Sequence, residues 1–98
     1  MYSERILDHY KNPHNIGKIE GVTPLTGDNP LCGDEIEIYI QGDEIKVNPN
    51  GCALLVASAS MMTINRESID PDLLEFIKNH PSRTKCVMLP WRTIDKSI

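Results

Sequence analysis

The sequence predicts a mixed fold in which α-helices accompany a small antiparallel β-hairpin. Isoleucine occupies every second position from Ile36 to Ile40, which is the pattern of a half-buried strand. Helical patterns lie on both sides of this strand, near the N-terminus and at 53–64, where nearly every residue is apolar or small. The 98 residues contain no repeat and no second domain, so we expect one domain at 1–98 with a small core.

The first element is a helix that Ser3 can cap and that ends near Lys11, because Asn12 precedes a proline. Its apolar stripe is expected to consist of Tyr2, Ile6, Leu7 and Tyr10. The following segment, 16–31, is rich in Gly, Pro, Asn and Thr, and we expect one short strand in it, at about 21–26.

The isoleucine strand continues into a hairpin, for which Gly42-Asp43 is a plausible two-residue turn. Folding about this turn sets two apolar pairs opposite each other, Ile40 with Ile45 and Ile38 with Val47. The apolar residues then share one face, which supports the register. The NPNG run at 48–51 is expected to break the second strand.

Two helical segments follow the buried helix at 53–64. Asp70-Pro71 is a strong helix start, and the expected apolar face of that helix is Leu73, Leu74, Phe76 and Ile77. The last segment, 85–98, is expected to bury Val87, Leu89, Trp91 and Ile94. Pro90 predicts that this helix either begins close to the proline or is kinked there.

Charge and composition exclude several classes of function. The net charge is −4 and no basic cluster accompanies the five aromatic residues, which argues against nucleic-acid binding. No apolar run approaches the roughly 20 residues that span a bilayer, and the N-terminus lacks a signal-peptide pattern. Three cysteines cannot all pair internally, so we expect a cytoplasmic protein with reduced thiols.

Three cysteines and one aspartate are the candidate metal ligands. Cys32 and Asp34 flank Gly33, so an extended backbone points both side chains to the same side. Cys52 directly precedes the buried helix and Cys86 lies near the start of the last one, where free amides and the helix dipole favour a thiolate. The alternative is three ordinary buried cysteines. Their shared position at element boundaries makes that alternative the weaker one.

This donor set is not that of a zinc finger, because there is no CxxC pair and the ligands are far apart in sequence. A carboxylate ligand makes a weaker and more labile site, which suits a protein that hands on a cargo. Lys85 is expected either to pair with Asp34 or a sulfur, or to be a solvated surface residue. The histidines are more often exposed polar residues than ligands; they are His9, His14 and His80.

Four blocks of the sequence, in order, resemble the U-type iron–sulfur cluster assembly scaffolds, namely IscU, SufU and the N-terminal domain of NifU. The blocks are YSERILDHYKNPHNIG, NPLCGDEIEI, GCALLVASASMMT and RTKCVMLPWRTI. The resemblance implies an α+β fold of the SufE/NifU-like kind, with a small antiparallel β-sheet of about three strands packed by α-helices. It also implies that four side chains surround a metal or a nascent cluster, namely Cys32, Asp34, Cys52 and Cys86.

The function that the resemblance implies is that of a carrier rather than an enzyme. Such a scaffold accepts sulfur from a cysteine desulfurase, binds Fe²⁺, builds a transient [2Fe–2S] cluster on the three Cys and one Asp, and transfers it to acceptor apo-proteins. The persulfide acceptor is Cys86 in the Isc branch and the cysteine matching Cys32 in the SufU branch. A cluster held within one chain and a cluster shared in a homodimer are both compatible with three cysteines.

A second hypothesis is a zinc-dependent sulfur acceptor, a sulfurtransferase that stimulates a desulfurase, in which Zn²⁺ preorganises the thiol. Lys85 favours it, because the Isc branch has histidine there and the SufU branch has lysine. The third hypothesis is a small structural zinc-binding module.

The chain also departs from its relatives in three places. The region between the helix after Cys52 and the last ligand is shorter than in SufU, the link before Cys52 is short, and the chaperone-binding peptide of the Isc branch is absent.

Overall fold

The computed structural model describes residues 2–30 and 32–95, in which four α-helices and a short 3-10 turn accompany a three-stranded antiparallel sheet. The elements are α1 Glu4–Lys11, β1 Leu25–Asn29, β2 Asp34–Gln41, β3 Glu44–Asn50, α2 Ala53–Ile64, α3 Pro71–Asn79, the 3-10 turn Pro81–Arg83 and α4 Thr84–Asp95. Helices α2 and α4 pack on the sheet, α1 packs on α2, and α3 contacts α1 and α4. The predicted α+β fold is confirmed.

The sheet has the order β1-β2-β3, with β2 in the middle. The predicted hairpin register is confirmed, because Ile38 pairs with Val47 and Ile40 with Ile45. The core between the sheet and the helices is formed chiefly by Ile36, Ile38, Val47, Leu54, Leu55, Met62, Leu73 and Val87.

The prediction that β3 breaks at 48–51 is wrong, since the strand continues to Asn50 with Pro49 opposite Ile36. The N–H and C=O of Val47 bond to Asn15 and Gly17, on the side of β3 away from β2. Pro49 lies two residues further along, so its nitrogen faces the same outer side. No hydrogen bond of the β2–β3 ladder is therefore lost at the proline.

A strand was expected at about 21–26, but β1 occupies Leu25–Asn29 and so extends to the start of the Cys32 turn. Its position is set by pairing with β2, in which Leu25 faces Ile38 and Asn29 faces Asp34. The composition of this region predicts that a strand is present but not where it begins and ends. Its bounds depend on pairing with β2 and on packing against α4.

The predicted stripe of α1 is partly wrong. Ile6 is buried as expected, but Tyr10 is 45% exposed and His9 is buried in its place. The ring nitrogen Nδ1 of His9 lies 2.7 Å from Oγ of Ser60, a buried residue of α2, and this hydrogen bond allows a polar ring at the interface. Similarly, α3 buries Leu73 and Phe76 but leaves Leu74 47% exposed.

Helix α2 covers the predicted range and buries eight of its residues, including Ser58, whose hydroxyl donates to the carbonyl of Val87 at 2.9 Å. Helix α4 runs through Pro90 rather than beginning near it, so the carbonyl of Cys86 lacks its usual donor four residues on. Val87, Leu89 and Trp91 are buried as predicted and Ile94 is half-buried. The predicted segment extended to residue 98, and 96–98 lie outside the described residues.

No helix in the described part of the chain is long and apolar enough to cross a membrane.

Candidate metal centre

Three of the four predicted ligands meet in one place. Sγ of Cys32, a carboxylate oxygen of Asp34 and Sγ of Cys86 all lie within 4.8 Å of one another. Each comes from a different element: Cys32 from the turn after β1, Asp34 from the first position of β2, and Cys86 from the first turn of α4. The sheet register and the packing of α4 on β1 bring these side chains together.

The turn that carries Cys32 is built on the carbonyl of Asn29. This oxygen accepts hydrogen bonds from the backbone N–H of Cys32 at 3.1 Å and of Gly33 at 2.9 Å. Gly33 has φ +77°, a left-handed conformation that glycine adopts without a steric penalty. The turn leaves Cys32 exposed, so its thiol is the accessible member of the group.

Asp34 is the buried centre of the site, with a relative exposure of 3%. Its Oδ1 accepts from the backbone N–H of Cys52 at 3.2 Å, and its Oδ2 lies 3.7 Å from Sγ of Cys52. A Cβ on Gly51 would overlap the same carboxylate. Glycine is therefore required before Cys52 for Asp34 to approach the start of α2.

Cys52, the fourth predicted ligand, borders the group but is not among the three whose ligand atoms are mutually close. It is the N-cap residue of α2 and is half-buried. Its sulfur lies between the Asp34 carboxylate at 3.7 Å and Nη2 of Arg83 at 3.5 Å.

Arg83 is the functional residue that the sequence argument missed. Its guanidinium donates to the sulfur of Cys52 and also interacts with Cys86, and the Cys86 contact is the main reason that the pKa of Arg83 lies above its ordinary value. The available signal was an arginine three residues before Cys86, in the RTKC sequence. The sequence argument considered only Lys85 as a possible cation at the site, because the 3-10 turn Pro81–Arg83 that points Arg83 at the sulfurs was not predicted.

Lys85 is a solvated surface residue, which is the second of the two roles predicted for it. Its side chain is exposed, and the ion pairs found among residues 2–30 and 32–95 do not include its ammonium group. Its backbone is engaged, because its carbonyl accepts from the side-chain amide of Asn29 at 3.1 Å.

The thiol of Cys86 is only 8% exposed. Burial raises its pKa to about 12, the neighbouring Asp34 carboxylate adds to the increase, and the hydrogen bond with Arg83 opposes it. In the metal-free protein this thiol is therefore protonated at neutral pH, and the expectation that the start of the helix favours its thiolate is wrong because burial outweighs the helix dipole. A bound cation would have to displace that proton, as metal binding to cysteine generally does.

The histidines lie elsewhere. His14 and His80 are exposed, as expected, whereas the expectation fails for His9, which is 4% exposed. Burial lowers the pKa of His9, and the nearby His14 and Arg5 lower it further. No histidine belongs to the ligand group found in the described residues.

A cavity of about 410 Å³ opens beside the group. Its lining includes Cys32 and Cys86 and two cationic residues, Arg83 and Lys85. Both cysteines of the three-ligand group therefore border this cavity.

The donor set fits a thiophilic divalent metal. Tetrahedral Zn²⁺ with bonds of about 2.3 Å to sulfur sets its ligand atoms roughly 3.8 Å apart, so three atoms within 4.8 Å of one another need only a small contraction. Two sulfurs and one oxygen, with Cys52 adjacent, match zinc or iron better than magnesium or calcium, which prefer all-oxygen sites.

Comparisons with known proteins agree with this geometry. The family model "NifU-like N terminal domain" matches residues 1–98. The zinc-dependent sulfurtransferase SufU of Bacillus subtilis is 29% identical over 131 aligned positions that cover 100% of this chain and 89% of the relative. The iron–sulfur cluster assembly scaffold protein IscU of Thermotoga maritima is 30% identical and is covered to 92%. Both alignments span 131 positions, so these relatives carry residues within the aligned region that the 98-residue chain lacks.

A solved structure shows the same fold. The crystal structure of a SUF-system iron–sulfur cluster assembly scaffold protein from Fervidobacterium islandicum AW-1, FiSufU, superposes with a TM-score of 0.77 and 30% sequence identity. The match covers 96% of this chain and 93% of that one.

Proposed function

Because this chain belongs to the NifU-like N-terminal domain family, we propose that it is an iron–sulfur cluster assembly scaffold, with residues 1–98 as one scaffold domain. The observation that carries the proposal is the meeting of Cys32, Asp34 and Cys86, with Cys52 at their edge. Thiolates are the usual protein ligands of iron–sulfur clusters. The single carboxylate makes the ligand set weaker, which suits a cargo that must leave again.

The proposed cargo is a transient [2Fe–2S] cluster, built from Fe²⁺ and delivered sulfur on Cys32, Asp34, Cys52 and Cys86. Cys52 completes the set through a short movement, since its sulfur already lies 3.7 Å from Asp34 Oδ2. Such a movement would exchange the contact with Arg83 for one with the cargo. The guanidinium then remains at the rim as a counter-charge for an anionic thiolate cluster.

The proposed point of sulfur entry is Cys32. It is exposed at the cavity, whereas Cys86 is 8% exposed. Sulfur would arrive from a cysteine desulfurase: the Cys32 sulfur attacks the terminal sulfur of the persulfide on the partner, the partner's S–S bond breaks, and its thiolate leaves. The persulfide on Cys32 then lies next to the other ligands. An external thiol reductant supplies the two electrons that cleave its S–S bond, which releases the outer sulfur to the iron as sulfide and restores the Cys32 thiolate. Acceptor apo-proteins then receive the finished cluster.

A second candidate is a zinc-dependent sulfur acceptor that stimulates a desulfurase without building a cluster. Two observations favour it: the SufU relative named above, and the lysine before the last cysteine. The same side chains would serve, with Zn²⁺ holding Cys32 as a thiolate ready for sulfur transfer.

An anaerobic reconstitution separates the two. The apo-protein is incubated with ferrous iron, L-cysteine, a thiol reductant and a cysteine desulfurase, and visible absorption, metal content and desulfurase turnover are recorded. A sulfur-to-iron chromophore with about two irons per chain or pair of chains, transferable to an apo-ferredoxin, supports the scaffold.

Zinc bound to the protein as purified, desulfurase turnover that is faster when zinc is added back to the apo-protein, and no chromophore support the sulfur acceptor. If neither chromophore nor stimulation appears, both candidates are wrong. Cys32→Ser should abolish either activity, whereas Ser68→Ala, a change in the exposed loop after α2, should leave both intact.

A further inference from the structure

Asn29 is a buried side chain at the junction of all the segments that carry the three-ligand group. It is 5% exposed and is the last residue of β1. It is not a metal-ligand candidate, because an amide donates and accepts hydrogen bonds but is a poor ligand for thiophilic metals. Its burial therefore needs another explanation.

The backbone of Asn29 organises two of the ligands. Its carbonyl accepts from the N–H groups of Cys32 and Gly33, and Sγ of Cys32 lies 3.7 Å from the same oxygen. In the β1–β2 ladder Asn29 is paired with Asp34. Any amino acid could provide these backbone contacts, so they do not explain an asparagine.

The side chain reaches the third ligand. Nδ2 of Asn29 donates to the carbonyl of Lys85 at 3.1 Å, and Lys85 directly precedes Cys86. This bond connects the end of β1 to the first turn of α4. That turn follows a 3-10 segment and contains the carbonyl that Pro90 leaves without a helical donor. The start of α4 thus has fewer internal bonds than an ordinary helix, and a bond from outside has more influence on where it lies.

We propose that Asn29 is the positioning residue of the metal centre: its amide fixes the first turn of α4 so that the Cys86 sulfur stays with Cys32 and Asp34. Leucine has the same branching as asparagine, with the same number of side-chain heavy atoms, but it is bulkier and could not donate. Aspartate would turn an oxygen toward the Lys85 carbonyl. Only a short side chain that ends in a donor meets both the space and the acceptor.

The test compares Asn29→Leu with Asn79→Leu, because Asn79 also donates its amide to a backbone carbonyl, that of Glu75, but on the exposed surface of α3. Circular dichroism establishes that each variant is folded. Asn29→Ala, which leaves room for a water molecule, is the second variant if leucine prevents folding.

The first readout needs no metal. Cysteine alkylation of the apo-protein, mapped by mass spectrometry, measures access to Cys86 relative to Cys52, whose hydrogen bonds in the described part of the chain are with Asp34, Arg83 and Val56 rather than with Asn29. If the start of α4 is released, we expect labelling of Cys86 in Asn29→Leu to be faster by about fivefold or more. The release is a local opening of the structure, so labelling does not require the whole chain to unfold. Unchanged relative labelling would overturn the inference.

The second readout is the affinity for Co²⁺, used as a spectroscopic substitute for Zn²⁺ or Fe²⁺, together with its sulfur-to-cobalt absorption. This readout rests on the proposed function. Loss of a positioning partner around a metal site typically lowers affinity roughly 10- to 100-fold. We expect that loss in Asn29→Leu, together with a fall of about a third in sulfur-to-cobalt absorption per bound ion as one of three thiolates drops out. Equal affinity and equal absorption would overturn the inference. If the wild-type protein binds no cobalt, the proposed function fails, and Cys86 labelling still decides the role of Asn29.

Discussion

At the scale of single residues, the site depends on contacts that only certain side chains permit. The clearest is the contact between Asp34 and residue 51, where the carboxylate occupies the space that a Cβ would fill. The backbone N–H of Cys52 then bonds to Oδ1 of Asp34 at 3.2 Å. Gly51 therefore contributes to the site by lacking a side chain, which leaves room for the Asp34 carboxylate.

We therefore predict that Gly51→Ala displaces the Asp34 carboxylate and lowers the affinity for Zn²⁺ by about tenfold, the usual scale for a disturbed ligand environment. Competition with a chromophoric chelator measures it. In an Asp34→Ala background the same Gly51→Ala change should have little effect, since the group that it displaces is gone. An equal loss of affinity in both backgrounds would contradict the explanation.

A second prediction at this scale concerns His9, whose pKa is lowered first by burial and then by His14 and Arg5. Below pH 6.5 the unfolded chain binds a proton that the folded chain resists, so the free energy of unfolding should fall as the pH drops from 7 to 5. The slope cannot exceed about 1.4 kcal/mol per pH unit for one proton.

Urea unfolding across this pH range measures the effect, with His9→Asn as the variant that removes the titrating group. Asparagine stays neutral, so the pH dependence should become shallower. His80→Asn is the matched control at an exposed histidine. If both variants retain the wild-type slope, His9 is not the source of acid sensitivity.

At the scale of elements, three of the four candidate ligands lie at or near the beginning of one: Asp34 opens β2, Cys52 caps α2 and Cys86 lies in the first turn of α4. Element ends carry backbone groups without regular partners, and such a group can bind a candidate ligand, as the Cys52 N–H does with Asp34. The element bodies provide rigidity, and α4 in particular must lie close to β1 for Cys86 to reach Cys32.

The approach of α4 to β1 requires Gly27, because a Cβ there would collide with Thr93 and crowd Leu89. We predict that Gly27→Ala lowers the free energy of unfolding by about 1–3 kcal/mol, the cost of an overpacked contact. Chemical denaturation measures it. Adding Thr93→Ala should recover part of the loss, and no recovery would mean that the collision is not the cause.

At the scale of the whole molecule, a chain of 98 residues has a small core, so ligand binding should contribute visibly to its stability. Zn²⁺ at a free concentration of 100 times its dissociation constant should add about 2.7 kcal/mol to the free energy of unfolding. For a domain of this size that corresponds to an increase of roughly 10 °C in Tm.

Differential scanning fluorimetry with buffered Zn²⁺ tests this prediction. Mg²⁺, which prefers oxygen ligands, should have no comparable effect, and Cys32→Ser should reduce the zinc-dependent increase. An equal increase with both ions, or with the Cys32 variant, would indicate that the metal binds somewhere other than the three-ligand group.

Local patterns in the sequence were sufficient for β2, for the hairpin register and for the positions of α2 and the start of α3, but not for the bounds of β1 and β3. The period-two isoleucines specified β2 and, with the Gly42-Asp43 turn, the register of the hairpin. The Asp70-Pro71 start and the apolar run of α2 marked their helices, since capping and periodicity act over only a few residues. The sequence also paired the candidate ligands Cys32 and Asp34, but on a wrong premise: the prediction assumed an extended backbone. In the structure Cys32 lies in a turn in which Gly33 has φ +77°, and this turn brings the two side chains together.

Tertiary structure alone decided the remaining features, all of which depend on segments far apart in the chain. It buried His9 because Ser60 lies opposite, extended β3 through Pro49 because the proline faces outward, and brought Cys86 to Cys32 through the packing of α4 on β1. It also chose Arg83 rather than Lys85 as the cation at the sulfurs. A side chain's direction at a helix start depends on which element the helix packs against, and neighbouring residues in the sequence do not specify that.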